Sequence, residues 1–202
     1  MNIHFVESTV RKQSGILAYL PDGVCRKFSN FPWNYATTFL VRSELQSERR
    51  KILLMNTTQL PPEHAWSQNQ DGKPYTKEGP AFSLSHSRSF SAIVVDTRRC
   101  EIGIDIEIHR PMLHWERIAE RWYLPEEQKY CLLTGIEGFW KIWTEKEAMA
   151  KCVGGPIARL FPLINTLHRS VDGIKLELFY VVQRCENEEL LHMAVARIDT
   201  RH

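Results

Sequence analysis

The sequence predicts an α+β fold, in which strands and helices fall in separate runs along the chain. Three observations carry that expectation. Ile102–Ile108 alternates apolar and polar residues without a break, as a strand does. Residues 114–152 hold three stretches with helical spacing. Residues 173–183 and 190–198 then read as a closing pair of strands, so that strands bracket a block of helices.

The elements follow in order. Residues 2–6 read as a strand, and 37–54 mix apolar and charged residues at loosely helical spacing. The polar stretch 57–80, punctuated by Pro61-Pro62 and Asp71-Gly72, reads as a loop. Residues 90–95 form the next expected strand, just before Ile102–Ile108. Among the helices, 114–122 is followed by a fresh start at Pro125-Glu126-Glu127, where proline fits the first turn and the acids complement the dipole. The strongest helix, 139–152, ends at Gly154-Gly155-Pro156. Glu186-Asn187-Glu188 separates the two closing strands. Residues 91–98 faintly echo 193–201, as two halves ending in equivalent strands would, and as two unrelated strand ends also would.

Bulk properties narrow the function. The 202 residues suffice for one large domain or two small halves sharing a core, and 43% hydrophobic with 25% charged residues is an ordinary globular composition. A net charge of +2 is too small to imply a nucleic-acid partner, although Arg49-Arg50-Lys51 and Arg98-Arg99 are local basic clusters. No apolar run approaches the roughly 20 residues that span a bilayer, and the N-terminal residues lack the apolar core of a signal peptide. The five cysteines are scattered, odd in number and without CxxC spacing, which argues against a disulfide framework and against a zinc site. A cytoplasmic protein without a membrane partner is expected.

Chemistry concentrates in three places. In Ile102–Ile108 the four isoleucines fall on one face, and Gly103, Asp105 and Glu107 on the other. The two carboxylates then sit roughly 7 Å apart at Cα, where hard oxygen ligands can converge on one magnesium ion. Gly103 beside them leaves room for a ligand to approach the backbone. The same alternation also marks any half-exposed antiparallel strand.

The second place is the strongest helix. Trp143, Glu147 and Lys151 recur at i, i+4 and i+8, which puts Glu147 and Lys151 at the edge of the buried stripe. They suit a third metal ligand and a counter-charge for phosphate, and equally an ordinary surface ion pair. Lys146 falls inside the stripe, where its stem can pack while the ammonium reaches outward. The third place is the stretch from Gly72-Lys73-Pro74 to Ser85-His86-Ser87. Its lysine, hydroxyls and histidine can meet an anion, although serine-flanked histidines also occur in capped turns.

Gly-x-Asp-x-Glu at 103–107 and Trp-x-x-Lys-Glu-Ala-x-x-Lys at 143–151, with Gly-Lys-Pro and Ser-His-Ser upstream, resemble the 4'-phosphopantetheinyl transferases. The match is similar to the Sfp-type branch, covers residues 72 to about 155 best, and departs at Ser83, where the family usually has asparagine. The resemblance implies a pseudo-twofold monomer of two α+β halves, each with a small antiparallel sheet packed on helices. The halves would fall at 1–100, carrying the coenzyme A nucleotide loop, and 101–202, carrying the magnesium site. It further implies magnesium, or manganese, on Asp105, Glu107 and Glu147, and coenzyme A as co-substrate. Ser85 and His86 would meet its 3'-phosphate, Lys73 its adenine end, and Lys146 and Lys151 its pyrophosphate. Glu147 and Lys151 would be the catalytic pair. Arg42, Arg49 and Arg50 are candidates for the family's N-terminal arginines.

The partner implied is an apo acyl or peptidyl carrier protein, whose serine accepts the phosphopantetheine arm. Residues 108–137 are a candidate surface for it. Two other readings share the residues: a non-catalytic module binding coenzyme A or a carrier, and a metal-dependent phosphodiesterase.

Overall fold

A computed structural model describes residues 25–28, 33, 36–42, 60–61, 63–185 and 189–198 of the chain. Among the described residues seven strands come first: β1 (Cys25–Phe28), β2 (Ala36–Arg42), β3 (Trp66–Gln68), β4 (Pro74–Thr76), β5 (Ala81–Ser87), β6 (Phe90–Asp96) and β7 (Ile102–Ile108). Helices α1 (Trp115–Trp122), α2 (Pro125–Thr134), α3 (Ile136–Val153) and the short α4 (Ile157–Leu160) follow. The chain closes through β8 (Ile164–Asn165), β9 (Ser170–Val171), β10 (Ile174–Arg184) and β11 (Leu190–Ile198). The α+β class is therefore met.

The strands form two main antiparallel sheets, ordered β1-β2-β6-β5 and β7-β11-β10-β9-β8, with β3 and β4 as a separate hairpin. β6 and β11, the strands that carry the sequence echo, each lie inside their sheet, an arrangement compatible with two related halves. Between the sheets, Ile102, Ile104, Ile106 and Ile108 meet Leu40, Phe90, Ala92, Val94, Leu191, Met193 and Val195 in one apolar cluster. Full burial of such a side chain contributes about 2 kcal/mol, so the isoleucine face anchors β7 firmly. Arg197 fastens the sheets at one end, with Nε 3.0 Å from Asp96 Oδ2 of β6 and Nη1 2.9 Å from Glu177 Oε2 of β10.

The other face of β7 is covered by α3. Ala194 and Ala196 of β11 pack there against Ala148, Met149 and Cys152, and small residues on both sides let helix and sheet approach closely. Gly103 is the extreme case. A Cβ on it would lie 2.1 Å from the Ala148 carbonyl oxygen and 2.3 Å from the Cys152 amide nitrogen. The backbone that approaches Gly103 is thus the helix, in place of the ligand anticipated from the sequence.

Two readings of the first half change. Residues 36–42 form a strand where helical spacing was expected; Ala36, Thr38 and Leu40 are buried and Thr37 and Phe39 less so, a period of two. The supposed loop 57–80 contains the β3–β4 hairpin, whose turn is closed by the Gly72 N–H to the Asn69 carbonyl at 3.0 Å. Asn69 Oδ1 also accepts from the amides of Asp71 and Lys73, and Gly72 takes the positive φ the turn requires. The strand expected at 2–6, residues 43–54 and Glu186-Asn187-Glu188 lie outside the described residues.

Lys146 does not reach outward. Its ammonium is fully buried, 2.8 Å from the equally buried Glu127 carboxylate, and donates to the carbonyls of Phe161 at 3.0 Å and Ile164 at 2.6 Å. Glu127 is held in turn by the amides of Leu124 and Thr166 and the Thr166 hydroxyl. The Phe161 carbonyl also accepts the Ile164 amide, so the Lys146 ammonium adds a second donor to the turn that follows α4 and ties it to α3. Lys146→Met should strand Glu127 as an unpaired buried charge and cost about 3–5 kcal/mol, read as a lowered urea midpoint. Removing both charges should cost less than the two single losses summed.

Candidate active site

The site lies where α3 crosses the polar face of β7, beside β5. Strand alternation delivers Asp105 and Glu107 to that face, and one helical turn of α3 delivers Glu147 and Lys151 to the same place. Lys151 Nζ is 2.6 Å from Asp105 Oδ1 and 3.8 Å from Glu147 Oε2. Ser85 Oγ donates to the same Asp105 oxygen at 2.7 Å, and Ser87 Oγ to Glu107 Oε2 at 2.9 Å.

The electrostatics are those of carboxylates short of positive charge. Burial, and then the Asp105 charge, push the Glu107 carboxyl above its ordinary value. The same two causes lift Glu147 further, to about 7. Burial alone would lower Lys151, but Asp105 and then Glu147 hold it above the usual lysine value, so it stays charged. The second oxygen of Asp105, Oδ2, is buried without a hydrogen-bond partner. An orphaned buried carboxylate oxygen beside two carboxyls that resist ionisation suits a divalent cation, whose charge would relieve all three. As they stand, no three histidine, cysteine or acidic side chains among the described residues are close enough together to hold an ion.

The other candidate residues are dispersed. Ser85 joins the carboxylates, whereas His86 alternates to the opposite side of β5 and is exposed. Lys73 Nζ lies 2.5 Å from Glu101 and 2.8 Å from the Cys152 carbonyl, where it caps the end of α3. Lys146 belongs to the buried pair with Glu127. Arg42 closes β2, while Arg49 and Arg50 lie outside the described residues.

Sequence reasoning missed two features. Ser87, quoted only as one hydroxyl among several, is a partner of Glu107; three serines alternating opposite an alternating acidic strand were the available signal. His192 stands opposite Glu107 in the β7–β11 register, and its side chain bonds Tyr180 Oη at 2.5 Å and His109 Nδ1 at 3.2 Å. Burial, and then His109, push its pKa down to about 3, so the ring is neutral. No local pattern announces a partner 85 residues away.

Carboxylates in need of a cation, with a lysine at their edge, form a donor set suited to an enzyme acting on phosphate groups. Residues 101–194 match the family profile of the 4'-phosphopantetheinyl transferase superfamily. The 4'-phosphopantetheinyl transferase AcpT of Escherichia coli O157:H7 is 32% identical over 146 residues, which cover 69% of this chain and 69% of that protein. AcpT of Salmonella typhimurium is 30% identical over 141 residues, covering 63% and 68%. The 4'-phosphopantetheinyl transferase HetI of Nostoc sp. is 38% identical over 95 residues, covering 44% of this chain and 39% of HetI. The matched stretch thus spans about two fifths of HetI and about two thirds of the AcpT proteins. The chain belongs to the 4'-phosphopantetheinyl transferase superfamily.

Proposed function

We propose that the chain transfers 4'-phosphopantetheine from coenzyme A to a serine hydroxyl of an apo acyl or peptidyl carrier protein, releasing holo carrier protein and 3',5'-ADP. The observation that carries the proposal is Lys151 bridging Asp105 of β7 and Glu147 of α3, with Glu107 close enough for its charge to be felt by the others. Asp105, Glu107 and Glu147 would hold magnesium, with manganese as the alternative, and the ion would neutralise charge on the coenzyme A pyrophosphate. Lys151 places a positive charge at the edge of the same site, where it would stabilise charge on the leaving phosphate. Glu147 is the side chain suited to accept the proton of the attacking hydroxyl at its carboxylate.

His86 and Lys73 are assigned to the nucleotide end of coenzyme A, away from the reacting phosphorus. Ser85 keeps its family position in the Leu-Ser-His-Ser run, but its hydroxyl is engaged by Asp105 and Lys151. Lys146 is assigned a structural role. The protein is proposed to act in the cytoplasm, a reading supported by its scattered cysteines, and as a monomer, which the family resemblance implies. Among the described residues no helix is long and apolar enough to cross a membrane.

Incubating the protein with coenzyme A, magnesium and a panel of apo carrier proteins tests the proposal by carrier mass. The expected product gains one phosphopantetheine. An unchanged carrier with bound coenzyme A would point to a binding module, and 3',5'-ADP released without a carrier to a phosphodiesterase. His86→Ala should mainly raise KM for coenzyme A, since the contact is remote from the chemistry; steady-state kinetics separate that from a fall in kcat.

The raised Glu147 pKa gives a pH dependence. Below about 7 the carboxyl carries a proton in the metal-free protein, and a metal ligand must be ionised, so binding expels that proton. Magnesium affinity should rise about tenfold per pH unit below that point and level off above it. Titration calorimetry in two buffers of different ionisation enthalpy should count close to one proton released at pH 6 and few at pH 8.

A further inference from the structure

β5 and β7 run side by side in parallel, yet they belong to different sheets and no backbone ladder joins them. A row of side chains takes its place. The amides of Ile104, Ile106 and Ile108 donate to the hydroxyl oxygens of Ser83, Ser85 and Ser87, at 3.2, 3.3 and 3.1 Å. Ser83, the departure from the family's asparagine, therefore sits within a strand and serves as the first of these acceptors.

Accepting in this way settles what each hydroxyl can still do. A serine has one hydrogen to give and two lone pairs to receive with. Ser87 receives the Ile108 amide and gives its hydrogen to Glu107 Oε2. Ser85 receives the Ile106 amide and Lys151 Nζ, the latter at 3.1 Å, and gives its hydrogen to Asp105 Oδ1. Both lone pairs and the hydrogen of Ser85 are spent, so the hydroxyl retains no capacity for a substrate phosphate. Residue 103, at the corresponding place beside Ser83, is glycine and offers no carboxylate.

We propose that Ser85 and Ser87 are positioning residues for the acidic pair. Each relays a hydrogen bond from the β7 backbone to the carboxylate on the same strand and fixes which carboxylate oxygen is engaged. The other oxygen is presented to the cation: Asp105 Oδ2 is the buried atom left without a partner. The inference rests on the reading of Asp105 and Glu107 as metal ligands. It places part of that site's geometry on β5, outside the segment 101–194 that carries the family match.

Ser87 is the better position to test, because it is only half-buried and its loss spares the core. Manganese binding to the full chain, measured by calorimetry without coenzyme A, is compared for wild type, Ser87→Ala and Ser87→Thr. The Ser87→Ala dissociation constant is expected to rise about 10- to 100-fold, the usual effect of removing an outer-shell partner. Ser87→Thr should restore most of the affinity because it keeps the hydroxyl. In parallel, Ser87→Ala should need more metal for half-maximal rate while KM for coenzyme A at saturating metal stays within about twofold. Metal affinity equal to wild type, or a raised KM for coenzyme A with unchanged metal affinity, would overturn the positioning role alone. Wild type binding no manganese would overturn the metal reading itself, and the inference with it.

Discussion

Asp105→Asn should slow transfer on the order of 10³-fold, the scale of losing one charge-stabilising group in an active site, while the protein remains folded. The substitution keeps size and shape but removes the charge that Lys151 meets at 2.6 Å and that repels Glu107 and Glu147. It also turns one oxygen of the acidic trio into a donor, which cannot ligate a cation. The isoleucine face of β7 lies on the other side of the strand and is untouched. Loss of the Lys151 pair is offset by relief of repulsion at Glu147, which then ionises beside the same lysine, so the melting temperature should stay close to that of wild type. Carrier mass gain followed over time, with a melting curve on the same sample, checks both halves. A rate within tenfold of wild type in a folded variant would remove Asp105 from the proposed metal site.

Gly103→Ala should be the most damaging single methyl in the second half of the chain. The atoms it would strike, the Ala148 oxygen at 2.1 Å and the Cys152 nitrogen at 2.3 Å, belong to the α3 backbone and cannot rotate aside. The helix has to lift off β7, loosening the packing of Ala194 and Ala196 beneath it. A cost of about 3 kcal/mol or more is expected, at or beyond the upper end of ordinary overpacking. Lifting α3 also withdraws Glu147 and Lys151 from Asp105, so residual folded protein should transfer poorly as well. Chemical denaturation and transfer rate on the soluble fraction test this pair of effects together.

How much of this was legible in the sequence depends on whether the cause was local. β7 was readable to the residue, because four isoleucines alternating with polar residues specify a strand and its two faces. The start of α2 at Pro125 and the glycine stop after α3 were equally local signals. Glu147 and Lys151 were recognisable as neighbours because helical spacing alone brings them together. Alternation, however, says that two faces differ and nothing about what covers each. The carboxylate face of β7 therefore read as a surface or a ligand site, when a helix lies across it. Lys146 was misdirected for the same reason, since its partners Glu127, Phe161 and Ile164 come from segments that meet only in the fold. The serine row has its pattern in the sequence, but the neighbour that gives it meaning is 21 residues away in another sheet.

The contact between Gly103 and α3 also bears on which ions the proposed metal site could accept. Strand and helix touch there backbone to backbone, so the frame holding Asp105 and Glu107 on one side and Glu147 on the other has a fixed width. Asp105 is short and buried and Glu107 is held by Ser87, whereas the longer arm of Glu147 is tied to no serine. Differences in ionic radius would then be absorbed mainly by the Glu147 rotamer. Selectivity among divalent ions becomes a question of reach, set by a glycine that touches no ligand.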